Sequence, residues 1–172
     1  MIKRLLRNFS NDIGIDLGTA NTLVYLRGRG IVINEPSVVA LNTKTSRVVA
    51  VGMEARDMFG KVPESIEVAR PLRNGVIADY EISETLLQYL LQRVSGSMRI
   101  FRPRVMISVP YGVTSVERRA VYEAVMEAGS REAFLIQQPL AAAIGIDLPI
   151  NSPSGNMLIS LGGGCTETAV MA

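Results

Sequence analysis

Two glycine-bearing turns hold most of the residues in this chain whose types and spacing could do chemistry. The first is Asp16-Leu17-Gly18-Thr19-Ala20-Asn21-Thr22 and the second Gly162-Gly163-Gly164-Cys165-Thr166. A tight glycine turn brings backbone N–H groups up to a phosphate with no side chain in the way. Thr19 and Asn21 add donors, and Asp16, at the strand end, could hold Mg2+ through water, the common way this ion is carried. Alone, the first unit reads equally as a hairpin with ordinary turn residues. The second is harder to explain that way, because three glycines in a row inside an apolar hairpin lose chain entropy and pack nothing. A ligand that needs close backbone approach is the simplest reason. The two units, DLGTANTLVY and SLGGGCTETAVM, also resemble each other. Together they predict a phosphate clamp between two facing hairpins.

Composition removes several other chemistries. Histidine is absent from the sequence, which excludes Ser-His and Cys-His catalysis and histidine metal ligation. The single cysteine, Cys165, cannot form an intramolecular disulfide, which fits a reducing compartment. Formal net charge is +2 over 172 residues, and Lys3, Arg4 and Arg7 lie in the first ten with no acid among them. The body is therefore nearly neutral and lacks the basic face of a nucleic-acid binder. Hydrophobic residues reach 48%, enough for a core in one domain. No apolar run has the length of a membrane-spanning helix, and no secretory signal is expected.

The elements that must position the turns follow from periodicity. Ile13–Leu17 and Thr22–Leu26 read as strands around the first turn, with short β segments continuing at Ile31–Ile33, Ser37–Leu41 and Arg47–Val51. Glu54–Phe59 reads as a short helix. Leu86, Leu87, Leu90, Leu91 and Val94 predict an amphipathic helix over 83–94. Val105–Val109 is an apolar strand. Thr114 and Glu117 form a capping-box pattern ahead of a helix to 128. Phe134–Gln137 is a strand, Pro139 opens a helix to 146, and Met157–Leu161 with Thr166–Met171 flank the second turn. This order predicts an α/β fold with a mixed sheet.

The segments IDLGTANTLVY, GIVINEPSVVAL, RPLRNGVIADYEISE, QQPLAAAIG and LGGGCTETAV resemble, in order and along the whole chain, the MreB family of bacterial actin-like filament proteins. The resemblance implies an actin and ribonuclease-H-like lobe, a mixed β-sheet flanked by helices with a small inserted subdomain. It implies a tail over 1–10, a first subdomain over 11–32 and 76–155, a small subdomain over 33–75, and the start of a second lobe at 156–172. It also implies ATP and Mg2+ as ligands, with Gly18, Thr19, Ala20 and Asn21 on one phosphate loop and Gly162, Gly163, Gly164 and Thr166 on the other. Asp16 would serve the metal, and Gln138 stands where the family carries a glutamate that orients the attacking water. The implied activity is an ATPase that polymerises on the inner membrane face and directs cell-wall elongation and cell shape. Its partners would be further copies of itself, anionic lipid and the wall-elongation machinery, with no nucleic acid.

Three positions depart from the family pattern. Gln137-Gln138 replaces a double glutamate, Ser160 an aspartate, and Cys165 a threonine. Losing these carboxylates predicts weakened hydrolysis, and the alternative function is a scaffold module of the same family that does not turn over ATP. Family members run to about twice this length. Two further segments suggest membrane contact. Ile2, Leu5, Leu6 and Phe9 fall on one helical face beside the three basic residues, as an interfacial anchor requires. Met98, Ile100 and Phe101, among arginines, resemble the family's membrane-inserting loop. The alternative for both is apolar packing on the domain itself.

Overall fold

The computed structural model describes residues 12–95 and 102–171. The tail residues Ile2, Leu5, Leu6 and Phe9 and the loop residues Met98, Ile100 and Phe101 lie outside the described residues.

Chain order is β1 (Asp12–Leu17), β2 (Asn21–Leu26), β3 (Gly30–Pro36), β4 (Val39–Asn42), β5 (Arg47–Val51), α1 (Met53–Asp57), β6 (Ile66–Ala69), β7 (Leu72–Arg73), β8 (Val76–Ile77), α2 (Tyr80–Ser95), β9 (Arg104–Val109), α3 (Ser115–Glu127), β10 (Glu132–Gln137), α4 (Gln138–Gly145), β11 (Asn156–Leu161) and β12 (Thr166–Met171). The main sheet runs β10-β9-β1-β2-β3. Its β10–β9 and β9–β1 pairs are parallel and its β1–β2 and β2–β3 pairs antiparallel. It is the mixed sheet that the alternation of elements predicts.

Alternation along the strands decides which face is core. Ile13, Ile15, Val24, Leu26, Val105 and Ile107 point to one side and are buried together with Leu86, Leu87 and Leu90 of α2 and Val121, Ala124 and Val125 of α3. Burying side chains of this size stabilises by roughly 1.5–3 kcal/mol each. α2 starts three residues earlier than its apolar stripe indicates, because Asp79 Oδ1 accepts the Ile82 N–H at 3.0 Å and caps the first turn. α3 begins where the capping box sets it. The Glu117 N–H donates to Thr114 Oγ1 at 3.2 Å, and Glu117 Oε2 accepts the Thr114 N–H at 2.7 Å.

A second, three-stranded sheet, β5-β4-β6, follows the meander and packs Val38, Ala40 and Ala50 against Ala55 of α1. β6 escapes a periodicity reading because it is four residues long and its partner β4 precedes it by more than twenty residues. β7 and β8 form a tight hairpin around Asn74 and Gly75, whose φ values are 53° and 81°. Two consecutive positive φ angles make this a turn of the I′ kind that Asn-Gly favours. Among the described residues β11 and β12 pair only with each other, and α4 packs beside them and against β9 and β10.

Candidate functional site

The turn between β1 and β2 is held from three directions. The Ser37 hydroxyl, fully buried, donates to the Gly18 carbonyl at 2.6 Å and lies 2.7 Å from Thr22 Oγ1. The Ser37 N–H donates to the Ala20 carbonyl at 3.0 Å. Arg70 Nη1 donates to the Thr19 carbonyl at 3.2 Å, and the Gly75 N–H donates to Thr19 Oγ1 at 2.9 Å. Thr19 thus accepts through its oxygen and keeps its own O–H for another acceptor. Asp16 is exposed at the end of β1. Its Oδ1 accepts the Ser108 O–H at 2.5 Å, which leaves Oδ2 for water or a cation. Among the described residues no three His, Cys, Asp or Glu side chains gather as a metal cluster.

The second turn faces the first directly. A Cβ on Gly163 would fall 2.6 Å from Ala20 Cβ, and one on Gly164 would fall 2.7 Å from Thr19 Oγ1. Gly18 and Gly162 are required by their own turns, since a Cβ would approach the Asn21 and Cys165 carbonyl oxygens at 2.6 and 2.8 Å. Gly163 and Gly164 therefore let the two turns meet without side chains between them, while Gly18 and Gly162 allow each turn to close on itself. Cys165 lies in the second turn near Gly75 and Pro110. Glu167 Oε1 accepts the Tyr111 N–H at 2.7 Å, tying β12 to the end of β9. Across the β11–β12 ladder, Ser160 stands opposite Glu167 and Leu161 opposite Thr166. Gln138 is half-buried at the first position of α4, with Pro139 buried behind it.

Sequence reasoning misses Ser37, Arg70, Gly75, Ser108 and Glu167. Two of them carry a local signal. Ser37 is the small polar residue inside NEPSVVAL, and Gly75 belongs to an Asn-Gly hairpin dipeptide between Leu72-Arg73 and Val76-Ile77.

The profile of the family described as MreB/Mbl protein matches residues 10–172. The chain belongs to the MreB/Mbl family. It is 49% identical to the cell shape-determining protein MreB of Escherichia coli K12 over 177 aligned positions, covering all of this chain and 51% of that protein. A crystal structure of MreB5 of Spiroplasma citri bound to ADP matches with a TM-score of 0.85 at 37% identity, over 95% of this chain and 49% of that one. The MamK double helical filament matches at a TM-score of 0.76 and 22% identity, over 92% and 49%, and speaks to the fold alone. The chain spans about half the length of the curated MreB and Mbl relatives it matches. The actin-like fold and the family resemblance read from the five segments along the chain are thereby established.

Proposed function

We propose that this chain forms the phosphate-binding half of a nucleotide-dependent, actin-like cell-shape protein. The observation that carries the reading is the meeting of the two glycine turns, Gly163 on Ala20 and Gly164 on Thr19. Backbone N–H groups of Gly18, Thr19, Ala20 and Asn21 on one side and Gly162, Gly163, Gly164 and Thr166 on the other would hold the phosphate tail of ATP. Asp16 would hold Mg2+ through water, and the ion would supply neutralisation of phosphate charge. The MreB5 relative bound to ADP supports the ligand class. Because the turns touch, a phosphate enters only as the second hairpin moves outward, and that hairpin shares no ladder with the main sheet. The proposed small unit of 33–75 holds β5-β4-β6, with its bounds falling inside β3 and between β7 and β8, and the second lobe would start at 156, the first residue of β11.

Filament formation, attachment to anionic lipid at the inner face of the membrane and contact with the wall-elongation machinery belong to the same proposal. Ile2, Leu5, Leu6, Phe9, Ile100 and Phe101 would make the membrane contact. Among the described residues no helix is long and apolar enough to cross a membrane. Sedimentation with anionic vesicles tests the anchor: deleting residues 1–9 should lower binding sharply, and equal sedimentation would exclude the tail.

For the nucleotide, titration calorimetry of the 172-residue chain with ATP and Mg2+ should show weak, Mg2+-dependent binding, since one wall of the pocket is present and ligands bind well when mostly enclosed. Tight, adenine-specific binding would overturn the half-clamp. The alternative, a scaffold module that does not turn over ATP, is favoured by Ser160 and by Gln138 in the water-orienting position. In a chain completed by a second lobe, Gln138→Glu with Ser160→Asp should raise phosphate release, and an unchanged rate would show that these positions do not limit it.

A further inference from the structure

Three successive carbonyls of the first glycine turn are held by donors from outside it. The Gly18 carbonyl accepts the Ser37 O–H at 2.6 Å, the Thr19 carbonyl accepts Arg70 Nη1 at 3.2 Å, and the Ala20 carbonyl accepts the Ser37 N–H at 3.0 Å. A trans peptide unit, the form found throughout the described residues, is planar, and its N–H points opposite to its C=O. Fixing one carbonyl therefore fixes the N–H of the next residue. The Thr19 and Asn21 N–H groups are turned away from Ser37, and the Ala20 N–H is turned away from Arg70. The Ala20 nitrogen borders the second turn, at 3.6 Å from a Cβ built on Gly163.

The Ser37 hydroxyl is itself directed. It carries one proton, and the Gly18 carbonyl can only accept, so that proton goes to Gly18. In the 2.7 Å contact between Thr22 and Ser37 the donor is then Thr22 Oγ1. Both side chains are buried, Ser37 at 0% and Thr22 at 1% exposure, so water does not compete for either proton. Gly18, Thr19 and Ala20 are only half-buried, and water could satisfy their carbonyls. Donors fixed in the protein give what water does not, a constant direction.

We propose that Ser37 and Arg70 are positioning residues for the first phosphate turn. They aim the Thr19, Ala20 and Asn21 N–H groups before the anion arrives, so that binding does not have to reorient them. The proposal rests on the phosphate-clamp reading of the two turns and divides the task by residue. The Ser37 hydroxyl sets the Thr19 N–H, and the Arg70 guanidinium sets the Ala20 N–H.

Amide residual dipolar couplings of the 172-residue chain, measured without ligand, read the tethers directly. Ser37→Ala should shrink the Thr19 coupling toward zero and keep that of Ala20. Arg70→Met should do the reverse, and Arg70→Lys, which retains a donor, should keep both. Titration with tripolyphosphate and Mg2+ then reads the consequence at the same amides. In the unaltered chain the Thr19, Ala20 and Asn21 protons should shift downfield. Ser37→Ala should weaken binding about tenfold, the scale of one hydrogen bond to a charged group, with the Thr19 shift lost. Arg70→Met should lose the Ala20 shift, and Arg70→Lys should recover it. Ligand-free couplings that stay unchanged in both Ser37→Ala and Arg70→Met would overturn the proposal. So would weaker binding in Arg70→Met with the Ala20 coupling intact, because Arg70 would then act on the phosphate by its charge. Couplings that respond as expected, in a chain whose amides ignore tripolyphosphate, would sink the clamp reading and leave the tethers standing. If Ser37→Ala does not fold, Arg70→Met, made at an exposed side chain, decides the question at Ala20.

Discussion

Ser37 is one residue on which the local arrangement of the first glycine turn depends. Its hydroxyl satisfies the Gly18 carbonyl and meets Thr22 while fully buried. Ser37→Ala leaves those groups unpaired, and urea unfolding should show a loss of about 1–3 kcal/mol. Gly52 is a second such point. Its φ is +72°, and a Cβ would fall 1.9 Å from the Glu35 carboxylate oxygen, which is itself paired with Arg93. Gly52→Ala should destabilise by more than about 1 kcal/mol through strain and loss of that pairing, measured by the same unfolding. Asp12 gives a pH signature. Partial burial pushes its carboxyl up, but hydrogen bonds and charge from Arg27 and Arg104 outweigh burial and hold it below the ordinary 3.8. A depressed carboxylate contributes stability above its unfolded value and loses it as pH falls through its folded value. Acid unfolding should therefore steepen below pH 3.8. Arg104→Gln should raise the Asp12 midpoint seen by NMR and flatten that slope. At this scale the glycines were legible, because their cost needs a reason. Ser37 and Ser108 were not, since a buried serine looks like any other until its partners are known.

Among elements, α3 is the one whose start the sequence places to the residue, through a reciprocal bond pattern that depends on nothing distant. Thr114→Ala should lower stability by about 1 kcal/mol, seen as a lower urea midpoint with unchanged slope. Glu117 sits below its ordinary pKa because the Thr114 backbone and hydroxyl both donate to it. The capping contribution should therefore fade as Glu117 is protonated in acid. α2 shows the opposite case. Its apolar stripe reveals the middle, while its true start depends on Asp79 and on the Tyr80 hydroxyl, which donates to Glu127 of α3 at 2.8 Å. Partial burial and that carboxylate push the Tyr80 phenol up to about 12. β6, β7 and β8 were illegible for a related reason. Strands of two to four residues carry no period, and their existence is decided by a partner elsewhere in the chain. The Asn-Gly pair was the exception, a local signal available to be read.

At the scale of the molecule, attachment is uneven. The main sheet is laced by ladders and a common core, whereas β11 and β12 are fastened by turn-to-turn contact, the Glu167–Tyr111 bond and the packing of α4. Hydrogen exchange should find β11–β12 amides opening at lower free energy than those of β1 and β9, and protection equal to the main sheet would show that the hairpin does not move separately. The α/β class and the facing turns were legible because they follow from order and from glycine, while the hold of Ser37 and Arg70 on the first turn emerged only from hydrogen bonds between distant segments. One pairing also carries a cost in time. β1 lies between β2, its neighbour in sequence, and β9, whose first residue Arg104 aligns with Asp12. The hairpin can close as soon as it is made, but the far edge of β1 has no partner until β9 (Arg104–Val109) follows, about eighty residues beyond Leu26. At roughly 5–20 residues per second that wait is on the order of 4–16 seconds. Throughout it the nascent chain presents a finished hairpin with one unpaired edge of Ile13, Gly14 and Ile15, the kind of edge that recruits the wrong strand.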